Sequence, residues 1–299
     1  MTPILVIFVP VFSKFQMKVL NKIKEAREYS GYLAGTGKQI GLVPTMGSLH
    51  QGHISLVDIA RKDNDAVGVS IFVNPIQFND PDDLRNYPRN LSGDIKTLEK
   101  NLGDDDFIFC PEAEEMYPGP VNKEYSLGRV AEVMEGSFRP GHFNGVAVVV
   151  EKLFRIIAPQ RAYFGEKDFQ QLAVIRKMVN LENLDIDIIG CPIIREDNGL
   201  AMSSRNRLLE DKLREDAGII YRAISSAGKL SEIYPVNKTR EIIRGRINST
   251  PGLEVEYIEF ADQDSLEPSI NWENKENIRC FAAVRAGRVR LIDNTGLDN

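Results

Sequence analysis

Residues 66–73 read Ala-Val-Gly-Val-Ser-Ile-Phe-Val, a near-continuous β-branched run. A strand of that kind is covered on both faces, as in a parallel sheet lying between layers of helices. Residues 39–43 (Gln-Ile-Gly-Leu-Val) form a second such run, bounded by Pro44. Beyond it, residues 54–61 carry apolar side chains at helical spacing, so a helix is predicted to start near His53. The small residues Thr45, Gly47, Ser48 and Gly52 fill the connection. A strand, a glycine-bearing turn and a helix N-terminus together make a site for phosphate, because free N–H groups converge there and the helix dipole favours anions. The pattern is neither the Gly-x-Gly-x-x-Gly dinucleotide fingerprint nor a Walker loop, which needs Gly-Lys-Ser/Thr. In their place it carries His50 and His53.

The same design recurs. Residues 161–164 form a short strand that runs into Gly165, Glu166, Lys167 and Asp168, and then a helix to about 180. A second ligand group is expected at that helix N-terminus. Lys167 is a mobile cation for phosphate, and Asp168 can accept from ribose hydroxyls or hold Mg²⁺. Taken alone, the run also reads as a solvated charge cluster opening a helix. Strands at 106–110 and 185–189, with helices at 18–29, 91–101 and 145–157, complete five strand–helix alternations. They predict an α/β, Rossmann-like doubly wound parallel sheet. From about 193 the pattern changes to two polar helices (208–231 and 238–249), then strands at 254–262, 278–286 and 288–293, the last two a hairpin around Gly287. We therefore expect a Rossmann-like domain over 17–192 and a smaller C-terminal α+β lid domain over 193–299.

A net charge of −6, with no long basic run, argues against nucleic acid as a partner. The apolar run 4–12 is broken by Pro10, is too short to span a bilayer, and lacks a basic flank or cleavage site. Cys110, Cys191 and Cys280 have no metal-ligand spacing and read as reduced, half-buried thiols of a cytoplasmic protein.

The chain has three histidines, His50, His53 and His142. The pair at 50 and 53 reads either as an idle pair at a helix start or as two donors to a triphosphate; zinc would need a further ligand. Asn74 and Gln77 lie just past the end of the 66–73 strand, where open α/β sheets bind ligands. Asn74 is also a common turn former before proline. Met202, Ser203, Ser204 and Arg205 supply two hydroxyls and a cation suited to β- and γ-phosphates, although alone such a run is more often a helix cap.

Pro44-Thr45-Met46-Gly47 followed by Leu49-His50-x-Gly52-His53 resembles the HIGH-type nucleotide-binding motif as it occurs in the pantoate–β-alanine ligase family. The resemblance extends from Met17 to Asn294, so residues 1–16 are expected to be an extension outside the family, of the kind an upstream start codon adds. It takes in the 70–78 string, Tyr87-Pro88-Arg89, Met116-Tyr117-Pro118, the Glu135 to Phe143 loop, the 165–172 string, a KMSKS-like Met202 to Arg205, and the ending Val289 to Asn294. Val148 departs from it, standing where the family usually has threonine.

What it implies is a two-step ligase: ATP and (R)-pantoate give pantoyl adenylate and diphosphate, and β-alanine then displaces AMP. ATP would be held by Met46, Gly47, Ser48, Leu49, His50, Gln51, Gly52 and His53, by Gly165, Glu166, Lys167 and Asp168, by Ile194 through its backbone, and by Met202, Ser203, Ser204 and Arg205. His53 would be the proton donor, with His50, Lys167 and Arg205 as its catalytic companions. Gln77, Gln171 and Asn74 would take pantoate and β-alanine, and Asp94 would help place Mg²⁺. The 135–143 loop would cover the pantoate site; read from the residues alone, Glu135 and Arg139 could simply pair across it, and His142 reads as structural. A homodimer is implied, and no membrane partner. A nucleotidyltransferase acting on a phosphorylated acceptor is the alternative within the superfamily, but two amides suit such an acceptor less well than Lys or Arg would. A catalytically dead nucleotide-binding regulator is the alternative outside it, and the intact His50, His53, Lys167 and Arg205 count against it.

Overall fold

The apolar runs pair as parallel strands. In the computed structural model, which describes residues 17–298, six of them form one sheet: β1 (Lys18–Leu20), β2 (Ile40–Thr45), β3 (Ala66–Ile71), β4 (Phe107–Phe109), β5 (Arg161–Gly165) and β6 (Asp187–Cys191). Their order is β1-β4-β3-β2-β5-β6, and every pairing is parallel. All six residues of β3 are buried, as its pattern requires. Helices Ile23–Gly35, Gln51–Asp63, His142–Ile157 and Phe169–Leu181 cover the two faces. Helix His142–Ile157 is buried along nearly its whole length, Val148 included, because it packs against Ile23–Gly35, Phe169–Leu181 and the sheet.

From β2 the chain builds outward through β3 and β4; from β5 it builds the other way, to β6. The order therefore reverses between β2 and β5, and a crevice opens beyond their carboxyl ends. The two glycine-bearing turns, 46–53 after β2 and 165–168 after β5, meet across that crevice.

The second sheet is antiparallel: β7 (Leu253–Asp262), β8 (Ile278–Ala286) and β9 (Val289–Gly296) in the order β7-β8-β9. Its apolar side packs with helix Val236–Asn248 and the segments before it into a separate core. The expected boundary at 192/193 falls immediately after β6. No helix among the described residues is long and apolar enough to cross a membrane.

Several expectations change. The segment expected as a helix from Lys18 opens with β1, a three-residue edge strand too short to show a period of its own; the helix begins at Ile23. The sheet thus has six strands rather than five. Helix 145–157 starts earlier, at His142. The stretch 208–231 is not continuous but three short helices, Asp211–Asp216, Ile219–Ile224 and Ala227–Ser231. The breaks fall at Gly218 and at Ser225–Ser226, where helix propensity is low, and they let Ile220, Ile224, Ala227 and Leu230 all stay buried in the second core. The 111–125 connection carries a short helix, Ala113–Met116. Residues 1–16, and the extension expected there, lie outside the described residues.

Candidate active site

A cavity of about 250 Å³ occupies the crevice. Every parallel strand next to the switch contributes at its carboxyl end. After β2 come Met46, His50, Gly52 and His53; after β3, Asn74 and Gln77; after β5, Gly165, Lys167 and Asp168; after β6, Ile194 and the 202–205 run. Gln171, from the first turn of the helix after β5, also lines it. Phe72, Val146, Val149, Val150, Leu153 and Phe164, all of one core, give the cavity an apolar lining, to which Leu56 adds from the other core.

The histidine turn is set by its own backbone. His50 Nδ1 accepts from the N–H of Gly52 at 3.1 Å, and His53 Nδ1 accepts from the N–H of His50 at 3.3 Å. These reciprocal bonds cap helix Gln51–Asp63. They also fix the chemistry. With Nδ1 an acceptor on both rings, the neutral imidazole carries its proton on Nε2, leaving that N–H as the donor at the cavity. Both rings stay neutral. Burial, with Lys167 and Arg207 nearby, lowers His50 to about 4, and burial next to His50 lowers His53 to about 3. The ring centroids lie 4.1 Å apart.

The rest of that turn faces away. Gly47 and Ser48 both have positive φ, 78° and 52°. This left-handed step aims the N–H groups of Ser48 and Leu49 at the buried Asp94 carboxylate, at 2.8 and 2.7 Å. A Cβ on Gly47 would stand 2.9 Å from that carboxylate, so only glycine fits. The sequence pattern directs these N–H groups to phosphate, and the family resemblance gives Asp94 to Mg²⁺. In the structure the carboxylate itself occupies the anion nest and braces the histidines from behind. Gly47, Ser48 and Leu49 do not line the cavity, and Gln51 is exposed on the helix surface.

The amides after β3 form a chain of fixed direction. Asn74 Nδ2 donates to the Gly145 carbonyl at 3.1 Å, an acceptor only, so its Oδ1 must be the atom that takes the Tyr117 hydroxyl at 2.9 Å. Asn74 Nδ2 also donates to Gln77 Oε1 at 3.0 Å, which leaves the Gln77 NH₂ facing the cavity, with only the weak acceptor Met46 Sδ at 3.2 Å. Gly145 permits this approach, since a Cβ there would sit 2.7 Å from the Ile76 carbonyl. His142, on the same helix, meets the Gln77 carbonyl through Nδ1 at 2.8 Å. A carbonyl only accepts, so Nδ1 carries the proton; burial and Arg139 lower the ring to about 4. The ring thereby holds the Gln77 carbonyl in place at the edge of the cavity. Asn74 orients Gln77 in the same way and itself lines the cavity.

Lys167 contacts Asp168 at 3.4 Å, and Arg205 reaches the Asp83 carboxylate at 3.2 Å, with Arg139 3.7 Å from it. Nothing in the sequence marks Asp83 for this cluster; helix Pro81–Asn86, which brings it, has no buried residue and leaves no apolar signal. The alternative in which Glu135 simply pairs with Arg139 is not what the structure shows. Glu135 instead meets Arg290 of the C-terminal sheet at 2.5 and 2.7 Å and accepts from the Tyr257 hydroxyl at 2.8 Å. Glu166 likewise turns from the cavity toward Arg279, at 3.4 Å. All three cysteines are free and fully rather than half buried.

Two neutral imidazole donors, two cations, two hydroxyls and a directed amide around one switch-point cavity define a nucleotide-using enzyme that stabilises charge on phosphate while gripping a small acid. Comparison with known proteins specifies it. The match to the pantoate–β-alanine ligase family spans residues 18–296. The pantothenate synthetase of Bacteroides fragilis (strain YCH46) is 46% identical over 278 residues, 93% of this chain and 98% of the relative. That of Phocaeicola vulgatus (strain ATCC 8482) is 48% identical over 279 residues, with the same coverage of 93% and 98%. The crystal structure of pantothenate synthetase from Thermus thermophilus superposes with a TM-score of 0.86 at 37% identity, covering 94% of this chain and 99% of that one. The pantoate–β-alanine ligase from Francisella tularensis, solved with β-γ ATP and β-alanine, gives 0.78 at 36% identity and covers 95% and 99%. The chain belongs to the pantoate–β-alanine ligase family. It is an enzyme, and its reaction is the ATP-dependent joining of pantoate to β-alanine.

Proposed function

We propose that the triphosphate lies between the histidine turn, Lys167 and the 202–205 run, with pantoate on Gln77 and Gln171 against the apolar wall. The observation that carries this assignment is the shared use of Nδ1 by the backbone, which leaves the Nε2–H of both His50 and His53 as uncharged donors at the cavity. In the first step a pantoate carboxylate oxygen attacks the α-phosphorus, and the bond to the bridging oxygen breaks to release diphosphate. His50 and His53 donate to the oxygens that gain charge, while Lys167 and Arg205 offset the charge leaving with diphosphate. Neutral rings make both histidines hydrogen-bond donors first. In the second step the β-alanine nitrogen attacks the acyl carbon, loses a proton, and the acyl carbon–oxygen bond breaks to release AMP. No covalent enzyme intermediate is needed, and orientation supplies much of the acceleration. The wall of Phe72, Val146, Val149, Val150 and Phe164 suits the two methyl groups of pantoate and keeps water from the acyl adenylate.

Mg²⁺ would enter with the triphosphate. Asp168 is the carboxylate lining the cavity, and the described residues hold no cluster of three or more metal-ligating side chains, so phosphate oxygens and water would complete its shell. There it would neutralise phosphate charge. We further propose that residues 193–299 act as a lid domain, that the protein is a homodimer, and that it works in the cytoplasm, where its three free thiols would remain reduced. Light scattering on the purified protein tests the dimer.

AMP release with ATP and Mg²⁺, measured with pantoate and β-alanine together and then with each omitted, tests the reaction. AMP with both acids present, accompanied by pantothenate, is expected. Diphosphate release with a different acid or a phosphorylated acceptor, and none with pantoate, would overturn the substrate assignment.

A further inference from the structure

The ending Val289 to Asn294 belongs to β9, far in sequence from the nucleotide turns and outside the roles assigned above. Asn294 is nonetheless buried against one of them. Its Nδ2 donates to the carbonyls of both Glu166 and Lys167, at 2.9 and 3.0 Å. Its Oδ1 accepts from Arg279 Nη1 at 2.5 Å, which fixes the direction of the amide. Arg279 is on the same face of β8, two residues from Phe281, the cross-strand partner of Asn294. Opposite Arg279 stands Gly296, whose missing side chain leaves the guanidinium room to lean toward Asn294. That guanidinium also reaches Glu166 at 3.4 Å and stacks 4.1 Å over the ring of Phe169, which opens the following helix. Phe281 meets the same ring edge-on at 5.8 Å. Both sides of the short turn Glu166–Asp168 are thus gripped by one face of the C-terminal sheet.

We propose that Asn294, held by Arg279, is a positioning residue for Lys167: it pins the two carbonyls on either side of the Lys167 α-carbon and so sets where the ammonium meets the triphosphate. This rests on the assignment of Lys167 to phosphate made above. A turn of three residues ahead of a helix has few internal bonds to hold its backbone, and a cation on a four-carbon stem is only as well placed as its anchor. The amide supplies the anchor from the other sheet, so docking of the C-terminal sheet and placement of the cation become one event.

Binding of a non-hydrolysable ATP analogue to the full chain, followed by calorimetry, tests this in a double-mutant cycle. Asn294→Asp keeps the shape but replaces the donor with an oxygen that faces two carbonyls; Asn294→Ala withdraws the donor without adding charge and serves if the aspartate variant folds poorly. Either is expected to weaken analogue binding about thirtyfold, the worth of two ordinary hydrogen bonds, while the KM for pantoate moves less than about twofold. In a Lys167→Ala background the same substitution is expected to cost nothing further. An equal loss in both backgrounds, or parallel loss for ATP and pantoate, would overturn the proposal and make Asn294 a packing residue. Wild-type nucleotide binding and turnover by Lys167→Ala alone would instead overturn the assignment of Lys167, and this inference with it.

Discussion

Asp94 separates two accounts of the histidine turn, and Asp94→Ala decides between them. Its carboxylate is buried and accepts the N–H groups of Ser48 and Leu49 at 2.8 and 2.7 Å. Removing it leaves two buried amide donors without partners next to residues already in left-handed conformations. A hydrogen bond to a charged acceptor contributes roughly 1.5–3 kcal/mol, and stranding the donor costs at least as much. Two such losses, reduced where water enters the space vacated by the side chain, come to about 3 kcal/mol. For a chain of this size that is a fall in Tm of about 5 °C. Scanning calorimetry on the variant measures it. Because the same loop carries His50 and His53, kcat/KM for ATP is expected to drop about a hundredfold, as misplacement by about 1 Å costs in other sites. The Mg²⁺ concentration giving half-maximal rate should not change. If instead Tm holds within about 1 °C and the Mg²⁺ requirement rises, the carboxylate serves the metal and the bracing argument is wrong.

His53→Ala removes one donor aimed at developing charge and is expected to lower kcat by about 10²–10³, with His53→Gln recovering part of the rate because an N–H remains; equal loss in both would point to ring-specific proton transfer. All three histidines are held neutral by burial, so NMR of the imidazole C–H signals should show no midpoint near 6.5, only transitions near 4 and 3. The linked sign is definite: the unfolded chain takes up protons below about 6.5 while the folded one does not, so stability falls as pH drops from there toward about 4, and a histidine titrating at about 6–7 in the folded protein would refute it. Gln77→Leu keeps the size but removes the directed NH₂; the KM for pantoate is expected to rise about tenfold or more while ATP-analogue binding holds, and an unchanged KM would remove Gln77 from the pantoate site.

Much of this molecule is legible in the chain because its signals are local. Buried parallel strands are continuous apolar runs, and β2, β3 and β5 sit close to where those runs put them. Paired histidines, Lys167 and the Met202–Arg205 run mark themselves by chemistry rather than by fold, and all of them line the cavity. The sequence alone thus determined the α/β class, the turns that line the cavity, and the family. Tertiary structure decided which atoms face the cavity. That β2 and β5 flank the switch depends on strand order, which no run of residues states. That the Ser48 and Leu49 amides are taken by Asp94, 46 and 45 residues away, depends on a left-handed backbone step and on burial. Neither imidazole tautomer could be read before the N–H groups of His50 and Gly52 had positions. Asn294 lies 127 residues from the Lys167 carbonyl it holds, across two sheets. Hydrogen bonds at such separations leave no period in a sequence, because period records which face of an element is dry and not what that face touches.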